Sequence, residues 1–118
     1  MRKIAIIGLA PSTHHLAPIK SDWECGGLPW DSQYFYYDRL FEMHDLYLLR
    51  EPDAGRDEGY EDKLRLIENL YMQTAYDEIP NAQRYPFEEV IQTTGDYFNS
   101  SIAYLMAMAI HEKPDVIG

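Results

Sequence analysis

Residues 3–16 read KIAIIGLAPSTHHL, and this stretch decides the fold. Residues 3–8 are β-branched or apolar almost without a break, which is typical of a strand covered on both faces, as in a parallel sheet. The strand runs into a turn of small residues and hydroxyls, GLAPST. Ser12 or Thr13 is then suited to cap a short helical turn through Leu16, which Pro18 ends. The stretch therefore predicts the start of an alternating α/β fold.

The clearest helix lies near the other end of the sequence, at residues 101–112, SIAYLMAMAIHE. It is apolar nearly all round, so we expect it to be buried. Asn99, Ser100 or Ser101 supplies its cap, and Pro114 ends it. A strand begins at residue 115, and a strand after a buried helix is typical of a βαβ unit. We expect residues 1–118 to form a single α/β domain with a mostly parallel sheet.

The middle of the chain supplies further, shorter elements. The predicted strands are residues 23–25, stopped by Gly26 and Gly27, residues 40–44, and a short one beginning at residue 71. The predicted helices are one from residue 60, with apolar residues at helical spacing, and residues 87–93, and residues 31–37 predict a short helix or turn. Residues 51–59 are polar and contain Pro52 and two glycines, so they predict an exposed loop.

Composition restricts the classes of partner. Twenty acidic and ten basic residues give a net charge of −10, which repels nucleic-acid backbones and acidic membranes. Cys25 is the only cysteine, so no internal disulfide forms, and a reducing cytoplasm fits. No stretch approaches transmembrane length. His14 and His15 lack a third ligand at metal spacing, and GLAPST is neither a dinucleotide fingerprint nor a Walker loop, so we expect no metal and no cofactor.

Parallel topology brings several polar or glycine-rich segments to one edge of the sheet. In such a sheet the carboxyl ends of strands and the amino ends of helices share that edge, and ligands bind there. Small residues let backbone N–H groups approach a phosphate or carboxylate, and hydroxyls add donors. The predicted ligand-binding residues are Gly8, Ala10, Pro11, Ser12, Thr13, Gly26, Gly27, His44, Asp45, Asn99, Ser100 and Ser101.

Each of these segments also has a purely structural interpretation. GLAPST is also explained as a plain strand-to-helix turn, and the serines as a helix cap. His44 and Asp45 suit an acid–base pair or hydrogen bonds to a sugar, but a strand-end histidine is also satisfied by the backbone. Neighbouring strand residues face opposite ways, so only one of the two is expected to face a ligand. Cys25 is a candidate nucleophile or a buried apolar residue.

Three segments carry a resemblance to known proteins: KIAIIGLAPST, DRLFEMHD and YFNSSIAYLMAMAIHEKPDVIG. They resemble uncharacterised bacteriophage and prophage proteins with a Rossmann-like core, and more distantly the bacterial sialyltransferases that use CMP-sialic acid. In those enzymes a strand–Gly-x-Gly-Pro-Ser turn and a Thr/Ser-Ser/Gly helix start contact the nucleotide sugar. The residues that match are Gly8, Ala10, Pro11 and Ser12 in the turn, His44 at a strand end, and Asn99, Ser100 and Ser101 at the helix start.

The resemblance implies a function, and the sequence departs from the family's pattern in two places. It implies a phage or prophage protein of the host-cell cytoplasm that binds a nucleotide or nucleotide sugar, from a glycosyltransferase-like family. Ala10 replaces the second glycine of the turn, and Gly118 precedes the segments that hold the catalytic base in the enzymes. The resemblance therefore implies the N-terminal half of a fold, inactive alone.

Two further expectations concern the oligomeric state and an alternative function. A sheet cut short exposes an edge strand and apolar helix faces, so we expect a homo-oligomer or a marginally stable monomer. The alternative function is that of an acidic phage-encoded interaction protein that inhibits a host factor, which the net charge favours.

Overall fold

In the described part of the chain, six strands pair into one sheet, and every neighbouring pair is parallel. The computed structural model describes residues 1–9, 14–19, 21–29, 37–54, 59–96 and 98–118. The order across the sheet is β5-β4-β3-β2-β1-β6. The strands are β1 (Lys3–Ile6), β2 (Trp23–Gly27), β3 (Arg39–Glu42), β4 (Leu70–Met72), β5 (Ala82–Arg84) and β6 (Val116–Ile117).

The described residues also form four α-helices and two short 3₁₀ helices. The α-helices are α1 (Leu46–Leu49), α2 (Tyr60–Arg65), α3 (Phe87–Thr94) and α4 (Ser101–Glu112), and the 3₁₀ helices are His14–Leu16 and Pro52–Ala54. Within the described ranges, none of the helices has both the length and the apolar character needed to cross a membrane.

The predicted α/β class with a parallel sheet is confirmed, and its architecture is consistent with a Rossmann-like core. β1 lies between β2 and β6, with Lys3 opposite Trp23 on one side and opposite Val116 on the other. Strands β2 to β5 follow on one side of β1 in chain order, whereas β6 pairs on its other side. This reversal beside β1 is the position at which open parallel sheets form their ligand crevice.

Both faces of the sheet are covered, and alternate residues of a strand enter different core layers. Leu40 packs into one layer and Phe41 into the other, because successive side chains of a strand point to opposite faces. The first layer joins the sheet to α1 and α2 through Leu46, Leu49, Tyr60 and Leu64. The second layer joins it to α3 and α4 through Val90, Leu105, Ala107 and Met108. Burial on both faces explains the unbroken apolar runs in the sequence.

Aromatic rings fill much of the second layer. Tyr85 has no exposed surface, and its hydroxyl donates a hydrogen bond of 2.6 Å to the backbone oxygen of Tyr104. The ring of Phe98 stacks on that of Tyr104 with 4.5 Å between centroids. Burial raises the pKa of Tyr85, so its hydroxyl stays a donor at every physiological pH.

An ionic network ties the amino-terminal edge of the sheet to the end of α4. The guanidinium of Arg39 donates two hydrogen bonds, of 2.9 and 2.7 Å, to the carboxylate of Glu112. Arg2 makes a second bidentate ion pair, with Glu24 on β2. Burial opposes the charge on Arg39, but the bonds to Glu112 prevail and raise its pKa. The network therefore fixes α4 against β1, β2 and β3 at the edge opposite the helix start.

Several predicted boundaries need correction. The prediction that Gly26 and Gly27 stop the second strand is wrong, because β2 continues through both residues with extended backbone. The strand predicted at residues 40–44 ends at Glu42, and the one at residues 3–8 ends at Ile6. Neither α1 nor β5 is predicted from the sequence. The helix or turn predicted at residues 31–37 lies outside the described residues except for Tyr37.

The two adjacent glycines of β2 differ in the space around them. A methyl group on Gly27 would lie 2.5 Å from the ring of Tyr37, which is itself buried, so one of the two would have to shift. A methyl group on Gly26 would lie 3.6 Å from the ring of Phe41, an ordinary contact.

Gly27→Ala is therefore expected to lower the free energy of unfolding by about 1–3 kcal/mol through overpacking. Gly26→Ala is expected to be neutral, or stabilising by up to about 1 kcal/mol, since alanine loses less backbone entropy on folding than glycine. Urea denaturation of both variants measures the difference. Equal stability of the two variants would contradict this packing of Tyr37 over β2.

Candidate functional site

A cavity of about 230 Å³ lies at the carboxyl-terminal edge of the sheet. Its lining comes from four places in the chain: the segment after β1, the segment after β2, the end of β3, and the start of α4. The described lining residues are Leu9, Leu28, Pro29, Phe41, Glu42, His44 and Ser101. The predicted edge therefore does bring together residues that are far apart in the sequence, and three of the lining side chains are polar.

Glu42 is the buried polar group of this site, with 3% of its surface exposed. Its Oε1 lies 2.7 Å from Nδ1 of His44 and accepts a second, longer bond from the His44 backbone N–H at 3.3 Å. Its Oε2 accepts a short hydrogen bond from the hydroxyl of Tyr60, at the start of α2. A buried carboxylate is costly unless donors satisfy it, and here both oxygens are satisfied.

His44 and Asp45 face different parts of the molecule. His44 lines the cavity with about half of its side chain exposed, and it is held by the Glu42 carboxylate. Asp45 is the N-cap of α1, where its Oδ1 accepts from the Tyr47 backbone N–H at 2.9 Å. The two residues therefore do not form a pair; the carboxylate partner of His44 is Glu42.

Neighbouring residues at the start of α4 have different roles. Ser100 is the N-cap, and its hydroxyl accepts from the Ala103 backbone N–H at 3.4 Å. Ser101 lines the cavity, whereas Asn99 is exposed to solvent. The prediction that one of these three residues caps the helix is confirmed for Ser100.

The glycine-rich segments contribute less side-chain chemistry. Gly8 follows β1 and precedes Leu9 of the lining, and a methyl group on Gly8 would meet no atom within 4 Å. Gly26 and Gly27 are buried inside β2, where their lack of a side chain makes room for Phe41, Leu105 and Tyr37. The predicted residues Ala10, Pro11, Ser12 and Thr13 lie outside the described residues, so their binding role stays a prediction.

Among the described residues, few groups set the electrostatics of the cavity. No lysine or arginine is among its described lining residues, so His44 is the lining side chain there that is able to become a cation. The first N–H groups of α4 add the partial positive charge of a helix start.

Across the described ranges, no group of three or more histidine, cysteine, aspartate or glutamate side chains is arranged to hold a metal ion.

Cys25 is a buried core residue and not an exposed nucleophile. It is 2% exposed in the first core layer, and its Sγ lies 3.6 Å from the backbone oxygen of Pro18. Burial raises the pKa of the thiol, with a smaller contribution from the nearby Asp38 carboxylate. A thiol that is buried and hard to ionise is a poor nucleophile.

Sequence reasoning singled out His44 but not the group that holds it. Glu42 lies among the apolar residues of the segment LFEM. A carboxylate inside an otherwise buried strand is the sequence signal that could have identified Glu42. A histidine two residues later strengthens that signal, because such residues share a face in extended chain. The contact with Tyr60 crosses from β3 to α2 and has no signal in the local sequence.

Comparison of the chain with protein-family models, with curated proteins and with solved structures finds no match. The resemblance of its motifs to phage proteins and sialyltransferases therefore remains an expectation.

The hydrogen bond from Tyr60 gives a test of the buried carboxylate. Tyr60→Phe leaves an oxygen of Glu42 with one donor fewer in a buried place, and a hydrogen bond to a charged group contributes about 1.5–3 kcal/mol. We expect the free energy of unfolding to fall by that amount, measured by urea denaturation.

Tyr47→Phe is the matched control, because the Tyr47 hydroxyl donates to Glu78 on the exposed surface. Its expected cost is below about 0.5 kcal/mol. Equal costs for the two variants would rule out a stabilising bond between Tyr60 and Glu42.

Proposed function

We propose that this protein binds a nucleotide or nucleotide sugar in the cavity at the carboxyl-terminal edge of its sheet. The phosphate lies against the start of α4 and His44, and the attached sugar lies against the apolar wall. The proposed role is binding; a glycosyltransferase-like reaction is supported only by the resemblance of the motifs.

One observation carries the proposal: segments after β1, β2 and β3 and the first residue of α4 line one cavity. It lies next to the strand around which the chain order reverses, where parallel α/β sheets hold their ligands. The first N–H groups of a helix point out of its start and suit an anion. Ser101 adds a hydroxyl at that place, and Gly8 leaves space beside the backbone after β1.

The dimensions favour a particular part of the ligand. The volume of about 230 Å³ is slightly below the range of roughly 300–1,000 Å³ for sites that enclose a drug-sized ligand. It suits a phosphate with an attached sugar better than a whole nucleotide. Leu9, Leu28 and Phe41 supply the apolar wall against which a sugar ring packs. The base of the nucleotide then lies outside this cavity.

The neighbouring serines of α4 allow a matched test. Calorimetric titration with CMP, CDP, UDP-glucose and inorganic phosphate measures binding to the unmodified protein. Ser101→Ala removes a donor from the cavity and is expected to weaken binding by about 1 kcal/mol, or roughly fivefold. Ser100→Ala removes the cap, so it is expected to lower the free energy of unfolding by about 1 kcal/mol with little change in affinity.

Gly8→Ala adds a test that does not disturb the fold, because the added methyl group meets no atom of the protein. Stability should stay within about 0.5 kcal/mol, while a ligand in contact with this backbone loses affinity. The proposal fails if the unmodified protein binds none of the four probes at millimolar concentration. It also fails if Ser100→Ala and Ser101→Ala change the affinity equally.

A further inference from the structure

The proton on His44 determines what the cavity is able to bind. Oε1 of Glu42 lies 2.7 Å from Nδ1. Because an ionised carboxylate only accepts hydrogen bonds, we assign the hydrogen to this nitrogen, which donates it to Glu42. The opposite tautomer would place two lone pairs against each other at that distance. Nε2 is then the nitrogen that a ligand in the cavity contacts. In the neutral ring Nε2 carries a lone pair, and in the imidazolium it carries a second N–H donor.

A phosphate oxygen distinguishes these two states of the ring. It accepts hydrogen bonds and carries negative charge, so it is repelled by the lone pair of neutral His44 and attracted by the N–H of the imidazolium. The net charge of the protein is −10, and the described lining contains no lysine or arginine that could take this role. A phosphate therefore gains its charge-assisted contact at His44 only if the ring takes up a proton.

We infer that His44 contacts the phosphate as an imidazolium, that Glu42 is its buried counter-ion, and that ligand binding takes up one proton. The inference rests on the proposed function and deepens it. The proton comes from solvent and adds to Nε2, while no covalent bond of the ligand changes. The ligand class is then an anion with phosphate oxygens, and a nucleoside without phosphate gains nothing from the proton.

The groups around His44 favour a positive charge on its imidazole ring. Glu42 is 3% exposed, and Tyr60 of α2 donates to its second oxygen, which leaves the carboxylate oriented toward the ring. Asp45, the other carboxylate beside His44, is turned to α1, where it accepts from the Tyr47 backbone N–H and lies 3.4 Å from the Tyr76 hydroxyl. From α4 the described lining residue is Ser101, which does not titrate. Among the described residues, Glu42 is thus the charged group in direct contact with the imidazole.

The test is calorimetric titration with UDP-glucose, whose diphosphate is esterified at both ends and keeps its charge across the range used. Affinity is expected to fall about tenfold or more from about pH 6 to pH 8, because binding that takes up a proton weakens as the proton concentration falls. Titration near pH 7.5 in two buffers of different ionisation enthalpy is expected to show uptake of up to one proton per ligand bound. Uridine serves as the probe without phosphate and should show no uptake.

Two histidine variants separate this site from the rest of the molecule. His44→Gln changes a half-exposed side chain and still offers an N–H donor to Glu42, and it is expected to abolish both the pH dependence and the proton uptake. His111→Gln is the matched control, because His111 lies at the other end of α4, 2.7 Å from the Thr93 hydroxyl, and both effects should remain. Glu42→Gln keeps an acceptor for Nδ1 but removes the charge of the counter-ion, so the proton uptake on binding near pH 7.5 should decrease.

The outcomes distinguish the two proposals. Binding with the same affinity at every pH, or a pH dependence that persists in His44→Gln, overturns the inference while the binding function stands. Affinity that rises with pH also overturns it, because neutral His44 then accepts a bond from a ligand hydroxyl. A complete lack of binding at millimolar UDP-glucose, CMP, CDP and phosphate overturns the proposed function and the inference together.

Discussion

The pairing of β1 in parallel with a strand on each side is the constraint on which the rest of the structure depends. Parallel neighbours cannot be joined by a tight turn, so the chain must cross over a face of the sheet after each strand. In this protein those crossovers carry α1 and α2 into one core layer and α3 and α4 into the other. Since every strand runs the same way, all the segments that leave the strands emerge at one edge. The cavity is a consequence of that geometry.

The same constraint explains why a carboxylate stands inside the core. Glu42 is the last residue of β3, at the point where a strand leaves the covered region and reaches the edge. The cost of burying this carboxylate is offset by its hydrogen bonds to the backbone and ring of His44, just after β3, and to the Tyr60 hydroxyl of α2. Such a group orients its partner more firmly than an exposed carboxylate would, because neither water nor a change of rotamer competes for it. His44 thus has a fixed direction although half of its surface is open.

Long, consistent local signals could be predicted from the sequence, and short or non-local ones could not. The apolar run of β1 and the capped, almost wholly apolar α4 are both placed correctly to within a few residues. α1 is a single turn capped by Asp45, and β5 is the polar tripeptide Ala82–Arg84 at the sheet edge, so neither has a periodic pattern to detect. The prediction that Gly26 and Gly27 stop β2 is wrong because glycine usually weakens a strand, whereas at Gly27 the close approach of the Tyr37 ring favours a residue without a side chain. In the site, His44 and Ser101 follow from topology, whereas the link from Glu42 to Tyr60 depends on how α2 packs.

The place of β6 beside β1 has a consequence for how the protein acquires this structure. Arg2 and Asp115 are 113 residues apart, yet the Arg2 N–H donates to the Asp115 carboxylate at 2.6 Å, and the Asp115 N–H donates to the Arg2 oxygen at 2.8 Å. During synthesis on the ribosome β1 emerges first, and its partner on this side emerges more than a hundred residues later. Closing so large a loop carries an entropic cost before any contact returns stability, which makes this pairing a late and slow step. Until then, one side of β1 offers unpaired N–H and C=O groups to any other extended chain, so the nascent protein is prone to misassociation along the side of β1 that β6 later covers.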